Sequence, residues 1–264
     1  MPDRIEGIFT ELLAEGRTAL MPFITAGYPS MKVTESVIGA LEEAGAHIIE
    51  LGIPFSDPIA DGPVIAASMH QALLSGVTPK SVFELVRKIR PTTELGLIAM
   101  VSDSIIERIG PEKFICDAAD AGIDGLIVPD IDILVAEKLR DLAADRGMSF
   151  SLLIAPTTSQ ERISQIAALS TGFVYVLARV GITGESHSPP DIAPRIDLIR
   201  QHTNLPIAVG FGISTPQHVA AVTEVADAAI VGSALVRRMG ESDDAVIAAQ
   251  AFVSDLAGSL CAKT

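Results

Sequence analysis

His47-Ile48-Ile49-Glu50-Leu51-Gly52-Ile53-Pro54-Phe55-Ser56-Asp57-Pro58-Ile59-Ala60-Asp61-Gly62-Pro63 is the segment from which the fold can be read. Its first five residues form a short apolar run without polar alternation, the pattern of a strand covered on both faces. A stiff Pro/Gly loop follows, and Pro63 then opens a stretch with helical spacing. The same order of parts recurs along the chain. Strands are expected at Ala19–Thr25, His47–Leu51, Leu97–Val101, Gly125–Pro129, Phe150–Ile154, Phe173–Ala178, Ile207–Val209 and Ala228–Val231. Between them run helical patterns at Lys32–Ala44, Pro63–Leu74 with Pro79–Arg90, Glu112–Ala121, Leu134–Arg146, Ser159–Leu169, Ile192–His202, Thr215–Val225 and Ser233–Met239. Asp244–Ala257 closes the series, and Ile5, Ile8, Phe9, Leu12 and Leu13 predict one more helix ahead of the first strand. Eight strand–helix units in 264 residues predict an α/β fold, a (β/α)8 TIM barrel with an additional N-terminal helix. No linker or composition break divides it, so residues 1–264 are expected to form a single domain.

The chain is 48% hydrophobic, enough for a large core, and carries a net charge of −14. That charge argues against nucleic acid or an anionic membrane surface as partner. A phosphorylated ligand would have to be held largely by backbone N–H groups and helix N-termini. Cys116 and Cys261 are far apart and suggest neither a disulfide framework nor a metal cluster. The charged N-terminal segment and the lack of a long uncharged apolar run make a cytoplasmic location the expectation.

In such barrels the chemistry lies at the C-terminal ends of the strands. The longest irregular connections there are Gly52–Gly62 and Arg179–Asp191, and either is a candidate mobile lid. Glu50, ending a buried strand, suits proton transfer; the alternative is a buried acid satisfied by a basic partner, and no basic residue lies on the adjacent loop. Asp61 either joins that chemistry or simply caps the helix beginning near Pro63. Asp57, before Pro58, reads as structural or partner-facing. Val209-Gly210-Phe211-Gly212-Ile213-Ser214-Thr215 and Val231-Gly232-Ser233-Ala234-Leu235 follow the seventh and eighth strands. Each alone is ordinary punctuation between strand and helix; together they favour a phosphate site. Thr183-Gly184 on the sixth loop can close over a ligand or merely lend flexibility. Tyr175 is a core residue whose hydroxyl needs a partner.

These pieces, in order, resemble the alpha subunits of tryptophan synthase. The resemblance covers nearly the whole chain. It is carried by Pro22-Phe-Ile-Thr-Ala-Gly-Tyr-Pro29, Glu50-Leu-Gly-Ile-Pro-Phe-Ser-Asp-Pro58, Ala60-Asp-Gly-Pro-Val-Ile65, Ala155-Pro-Thr-Thr158, Gly172-Phe-Val-Tyr175, Gly181-Ile-Thr-Gly184, Gly210-Phe-Gly-Ile-Ser-Thr-Pro216 and Val231-Gly-Ser-Ala234. It implies retro-aldol cleavage of indole-3-glycerol phosphate to indole and glyceraldehyde 3-phosphate, without metal or organic cofactor. Glu50 would then be the general acid/base, and Asp61 would accept the indole N–H. Phe23, Met100, Val128 and Ile154 would line the indole pocket, and Tyr175 would touch the glycerol portion. Gly184, Phe211, Gly212, Gly232 and Ser233 would surround the phosphate, with Thr183 meeting Asp61 on loop closure.

The resemblance also implies an alpha2beta2 complex with a beta subunit that receives indole. The loop of Asp57 and Pro58 and the connection after strand three would face that partner. There the chain departs from the family's pattern. Val101-Ser102-Asp103-Ser104-Ile105 replaces a Tyr-x-Asn-Pro-like run, and Pro129-Asp130-Ile131-Asp132-Ile133 replaces Pro-Asp-Leu-Pro. Ala66 and Gln71 stand where Gln and Arg are usual. Two other functions remain in view: a binding subunit that mainly activates its partner, and another phosphate-binding barrel enzyme of the pathway. The second generally needs a Lys or Cys at a strand end, which the barrel-top positions named above do not offer.

Overall fold

A computed structural model describes residues 3–57, 62–178, 192–210 and 212–262. Helix α1 (Arg4–Ala14) precedes β1 (Ala19–Thr25) and α2 (Met31–Glu43). Then come β2 (Ile48–Gly52), α3 (Pro63–Leu74), α4 (Pro79–Ile89), β3 (Gly96–Met100), α5 (Asp103–Ile109) and α6 (Pro111–Ala121). Next are β4 (Gly125–Ile127), α7 (Ile133–Ala144), β5 (Ser149–Ser151), β6 (Leu153–Ile154), α8 (Gln160–Leu169) and β7 (Val174–Leu177). The chain ends with α9 (Ala193–Arg200), β8 (Ile207–Gly210), α10 (Pro216–Thr223), β9 (Ala228–Val231), α11 (Ser233–Glu241) and α12 (Ala245–Ala257). Every strand pair is parallel, in the order β5-β4-β3-β2-β1-β9-β8-β7-β6.

The two ends of that order are halves of one strand. The expected strand Phe150–Ile154 forms, but it is interrupted at Leu152, so β5 pairs with β4 and β6 with β7. The Tyr175 N–H donates to the Leu152 carbonyl at 3.2 Å across the break, and the barrel closes there. Of the other expected strands, Ala19–Thr25 and Ala228–Val231 form at those bounds and the rest with ends shifted by a residue or two.

Helix α5 is an element that the sequence pattern did not reveal. The Ser102 hydroxyl caps it, accepting from the Ser104 N–H at 3.3 Å, and Gly110-Pro111 ends it. Seven residues are too few to display a helical apolar stripe.

Closure gives each strand residue one of two destinations. Leu20, Ile49, Leu51, Leu97, Ala99 and Leu126 face outward into the large cluster beneath the helices. Ala19, Met21, Ile48, Ile98, Ile127 and Ala208 face inward. Helix α1 closes the lower end of that interior with Ile5, Phe9 and Leu12, all buried, and the Phe9 and Phe173 ring centroids lie 5.8 Å apart. Its N-cap is Asp3, whose carboxylate accepts the Glu6 N–H at 2.7 Å.

Ion pairs secure this same lower end. Asp124 accepts from Arg90 at 2.9 Å and from the Leu97 N–H at 2.8 Å, with Arg4 3.4 Å away. Asp227 pairs with Arg200 and accepts the Ile207 N–H at 2.7 Å. Conserving stability rather than chemistry is the usual task of this face of a barrel.

Two predictions follow from this lower end. Phe9→Ala should cost about 3–5 kcal/mol, the range for truncating a buried Phe. Chemical denaturation measures it, and a loss below about 1 kcal/mol would show that α1 is not part of the closed core. His47 supplies the second. Its Nδ1 accepts the Leu20 N–H at 3.1 Å and the Arg17 guanidinium lies 3.4 Å from Nε2. Burial first, then Arg17, pushes its pKa down to about 4. A base depressed in the folded state contributes stability above its unfolded pKa, near 6.5, that is lost as pH falls toward 4. His47→Asn should therefore remove about 2–3 kcal/mol of the stability change over that window. Identical stability–pH curves for the two proteins would refute the assignment.

Candidate active site

Strand parity places Glu50. Ile48 faces the interior and Ile49 and Leu51 face the helices, so Glu50 points inward from β2, level with Phe23 on β1 and Ile98 on β3. It is 0% exposed, and neither carboxylate oxygen has a hydrogen-bond partner among the described residues. Burial alone pushes its pKa well above the usual carboxylate range. Asp227, also buried, and the partly buried Asp124 each have an Arg beside them; among the described residues the Glu50 carboxyl has no hydrogen-bond partner. Burial of this kind favours the neutral form of a carboxyl, a perturbation that clusters at functional sites.

Around Glu50 the upper interior is apolar. Phe23, Ile65, Met69 and Val236 form a small buried cluster, with the half-buried Met100 packed against it. Gly52 leaves room for the Phe23 ring: a Cβ there would come within 2.6 Å of Phe23 Cζ. Tyr175 also points inward, its hydroxyl against Gly210, where a Cβ would approach to 2.5 Å.

Two expected pocket residues are placed differently. Val128 and Ile154 pack into the outer cluster, away from the interior. Their neighbours Ile127 and Leu153 face inward instead, Ile127 buried and Leu153 half-buried. Alternation was the available signal: with Phe150 and Leu152 turned outward, Leu153 must turn in.

The two glycine turns sit at neighbouring strand ends. Gly212 adopts φ +80° after β8. Beyond it the Ser214 N–H donates to His218 Nδ1 at 3.3 Å, and Thr215 caps α10. Gly232 is the N-cap of α11, and its carbonyl accepts from Leu235 at 2.9 Å and Val236 at 3.1 Å. The N–H groups of Ser233 and Ala234 therefore have no carbonyl partner within the helix, as at any helix start. Gly232 adjoins Phe23, a Cβ there lying 3.5 Å from Phe23 Cβ, so this positive helix end belongs to the same mouth as Glu50. Arg238, farther along α11, stacks on Phe252 of α12, 4.0 Å from its ring centroid.

Asp61, Pro58, Thr183, Gly184 and Phe211 lie outside the described residues, as does the whole 179–191 connection. Helix α3 has Gly62 at its N-cap position, which the capping reading had offered to Asp61. Asp57 is exposed on the rim after β2.

The segments that depart from the family's pattern also lie on the rim. The Ser102 hydroxyl donates to Asp130 at 2.6 Å and the Asp103 N–H to the same carboxylate at 2.9 Å, joining the loops after β3 and β4. Asp132 caps α7, and Leu134 and Val135 just beyond it are 86% and 53% exposed.

Comparisons with known proteins agree with this architecture. Residues 9–260 match the family model described as tryptophan synthase alpha chain. The tryptophan synthase alpha chain of Prochlorococcus marinus (strain MIT 9313) is 44% identical over 249 residues, covering 94% of this chain and 90% of that protein. The crystal structure of tryptophan synthase subunit alpha from Legionella pneumophila str. Paris superposes with a TM-score of 0.91 at 34% identity, covering 98% of both chains. A chain of the Mycobacterium tuberculosis tryptophan synthase structure in space group F222 gives 0.91 at 30% identity, covering 98% of this chain and 99% of that one. A match across nearly the full length, on a barrel with a buried acid at the same mouth as its glycine turns, has one conclusion: the chain belongs to the tryptophan synthase alpha chain family.

Proposed function

We propose that Glu50 is the acid/base of the reaction of this family, the cleavage of indole-3-glycerol phosphate to indole and glyceraldehyde 3-phosphate in tryptophan biosynthesis. The chain is a lyase by its family membership. The observation that carries the residue assignment is the Glu50 carboxyl itself, fully buried, inward-facing and without a partner among the described residues.

Breaking the bond between indole C3 and the glycerol chain needs an electron sink. A neutral Glu50 delivers its proton to C3, which converts the indole to an indolenine cation. Loss of the proton from the adjacent glycerol hydroxyl forms the aldehyde C=O. The electrons of the breaking carbon–carbon bond then neutralise the C=N⁺ and restore the indole. Glu50, now ionised, is the base for the hydroxyl proton and so returns to its starting state. Asp61 accepts the indole N–H and balances the cation. Phe23, Met100, Ile127 and Leu153 surround the ring, and Tyr175 meets the glycerol. Gly212, Gly232 and Ser233, with Phe211 and Gly184, receive the phosphate on backbone N–H groups, which suits a mouth with few cations. Thr183 joins Asp61. No cofactor enters this scheme.

We assign the chain to an alpha2beta2 complex whose beta subunit takes up the indole, with Asp57 and Pro58 on the side facing it. The exposed Leu134 and Val135 support a partner-facing rim. Among the described residues no helix is long and apolar enough to cross a membrane, which is in keeping with our assignment to the cytoplasm. A second reading, an activating subunit with little turnover of its own, is favoured by the Ser102–Asp130 link at the position of a departure from the family's pattern. Steady-state cleavage by the isolated chain with and without beta subunit separates the two: full turnover unaffected by the partner would eliminate that reading.

Glu50→Gln should lower kcat for cleavage by about 10²–10⁴-fold, the usual share of a placed acid/base. Wild-type rates in this variant would overturn the assignment. The same variant has a stability signature. A carboxyl whose folded pKa is raised contributes stability below its unfolded pKa and loses it as pH rises through the folded value. Glu50→Gln should therefore be more stable than wild type at alkaline pH and lack the wild type's loss there. Equal alkaline stability would show that Glu50 ionises without penalty.

A further inference from the structure

The Ala155-Pro156-Thr157-Thr158 turn is a sequence motif that the chemistry above leaves without a task. It follows β6 directly, whose Leu153 faces the interior opposite Tyr175 in the register of β6 and β7. The turn closes on itself: the Ala155 N–H donates to Thr158 Oγ1 at 2.9 Å, and the Thr158 N–H to the Ala155 carbonyl at 3.0 Å. A second tie comes from far along the chain. One guanidinium nitrogen of Arg195, on α9, donates to the Ala155 carbonyl at 2.8 Å and to the Thr158 carbonyl at 2.7 Å.

This cation is held in an unusual way. Its Nε is buried with no partner among the described residues. Burial lowers its pKa, and no carboxylate among the described residues offsets the desolvation. A partly desolvated Arg with both bonds on main-chain carbonyls is a costly way to add stability alone. It is an effective way to fix a backbone, because charge-assisted bonds are short and directional.

We propose that Arg195 is a positioning residue for the ring-side wall of the pocket. Through the Ala155–Thr158 turn it sets the end of β6, and so the place of Leu153 beside Tyr175. The phosphate turns follow β8 and β9, with β7 standing between β8 and β6, so the influence falls on the ring and spares the phosphate. The proposal rests on reading this mouth as the indole-3-glycerol phosphate site.

The test uses the full chain with Arg195→Met and Arg195→Lys, and two probes. One is an indole-3-alkyl phosphate lacking the cleavable hydroxyl; the other is glycerol 3-phosphate, which has no ring. Calorimetry of Arg195→Met should show about tenfold weaker binding of the indolic probe, in keeping with the sensitivity of sites to small misplacements. Glycerol 3-phosphate affinity should stay within about twofold of wild type, and KM for the substrate should rise more than kcat falls. Arg195→Lys, which keeps a donor cation, should recover part of the loss. If Arg195→Met does not fold, Arg195→Lys should show the same split at smaller size. Equal weakening of both probes, or no change in either, overturns the positioning role. Failure of the wild-type protein to bind the indolic probe would instead strike the reading of the site itself.

Discussion

A closed parallel barrel leaves a strand side chain only two places to go, and that constraint governs the rest of this molecule. Outward residues meet the helices, and inward residues share one enclosed space with a lower end and an upper end. Closure itself depends on a local concession, the break at Leu152, where one strand divides its bonds between two neighbours. The inward set below is mostly apolar, joined by the buried Ser149 and Ser151, and is sealed by α1. Above, the same set includes Glu50. Nothing about β2 changes between Ile48 and Glu50 except height in the barrel.

Acids shielded from solvent to different degrees show how height decides role. Asp124 and Asp227 sit just before β4 and β9, where Arg90, Arg4 and Arg200 reach them from outside the barrel. Backbone N–H groups of Leu97 and Ile207 complete their shells. Those acids tie the ends of the strands together. Glu50 is packed among apolar side chains, so ionising it in place would carry a desolvation penalty that no hydrogen bond from the described residues offsets. In the proposed reading the fold tolerates this because burial favours the neutral group until substrate arrives. A site that costs stability while it waits is what function at a barrel mouth commonly looks like.

Much of this was legible in the sequence, because buried parallel strands advertise themselves as uninterrupted apolar runs. Ala19–Thr25 and Ala228–Val231 form at their expected bounds, as does helix α3 at Pro63–Leu74. What escaped was whatever depends on register between strands. Val128 and Ile154 looked like pocket residues by position in their motifs, yet each is one residue out of phase with the interior. An apolar run covered on both faces hides its own phase, since Ile127 and Val128 are equally hydrophobic. The break at Leu152 was invisible for the same reason. Helix α5 escaped on length, its signals being a serine cap and a Gly-Pro stop with little pattern between. The inward direction of Glu50 did not depend on such detail, because a carboxylate in an apolar run at a strand end admits few roles.

The acidity of the chain sharpens the anion problem at the mouth. With 33 Asp and Glu against 19 Lys and Arg, the protein as a whole repels a phosphate ester. At physiological salt that repulsion is screened over about 8 Å, so it slows approach more than it opposes binding. Binding at the proposed site is then a matter of the last few ångströms, where the N–H groups at the start of α11 would act at short range. Of the two cations on α11, Arg238 is turned onto Phe252 and Arg237 pairs with Glu241. Among the described residues the Glu50 carboxyl has no hydrogen-bond partner, cationic or otherwise. That matters for the proposed reaction, because a Lys or Arg brought close to Glu50 would pull its pKa down and take away the proton that we assign to it. In that reading the proposed backbone phosphate site and the raised acid are two halves of one electrostatic arrangement.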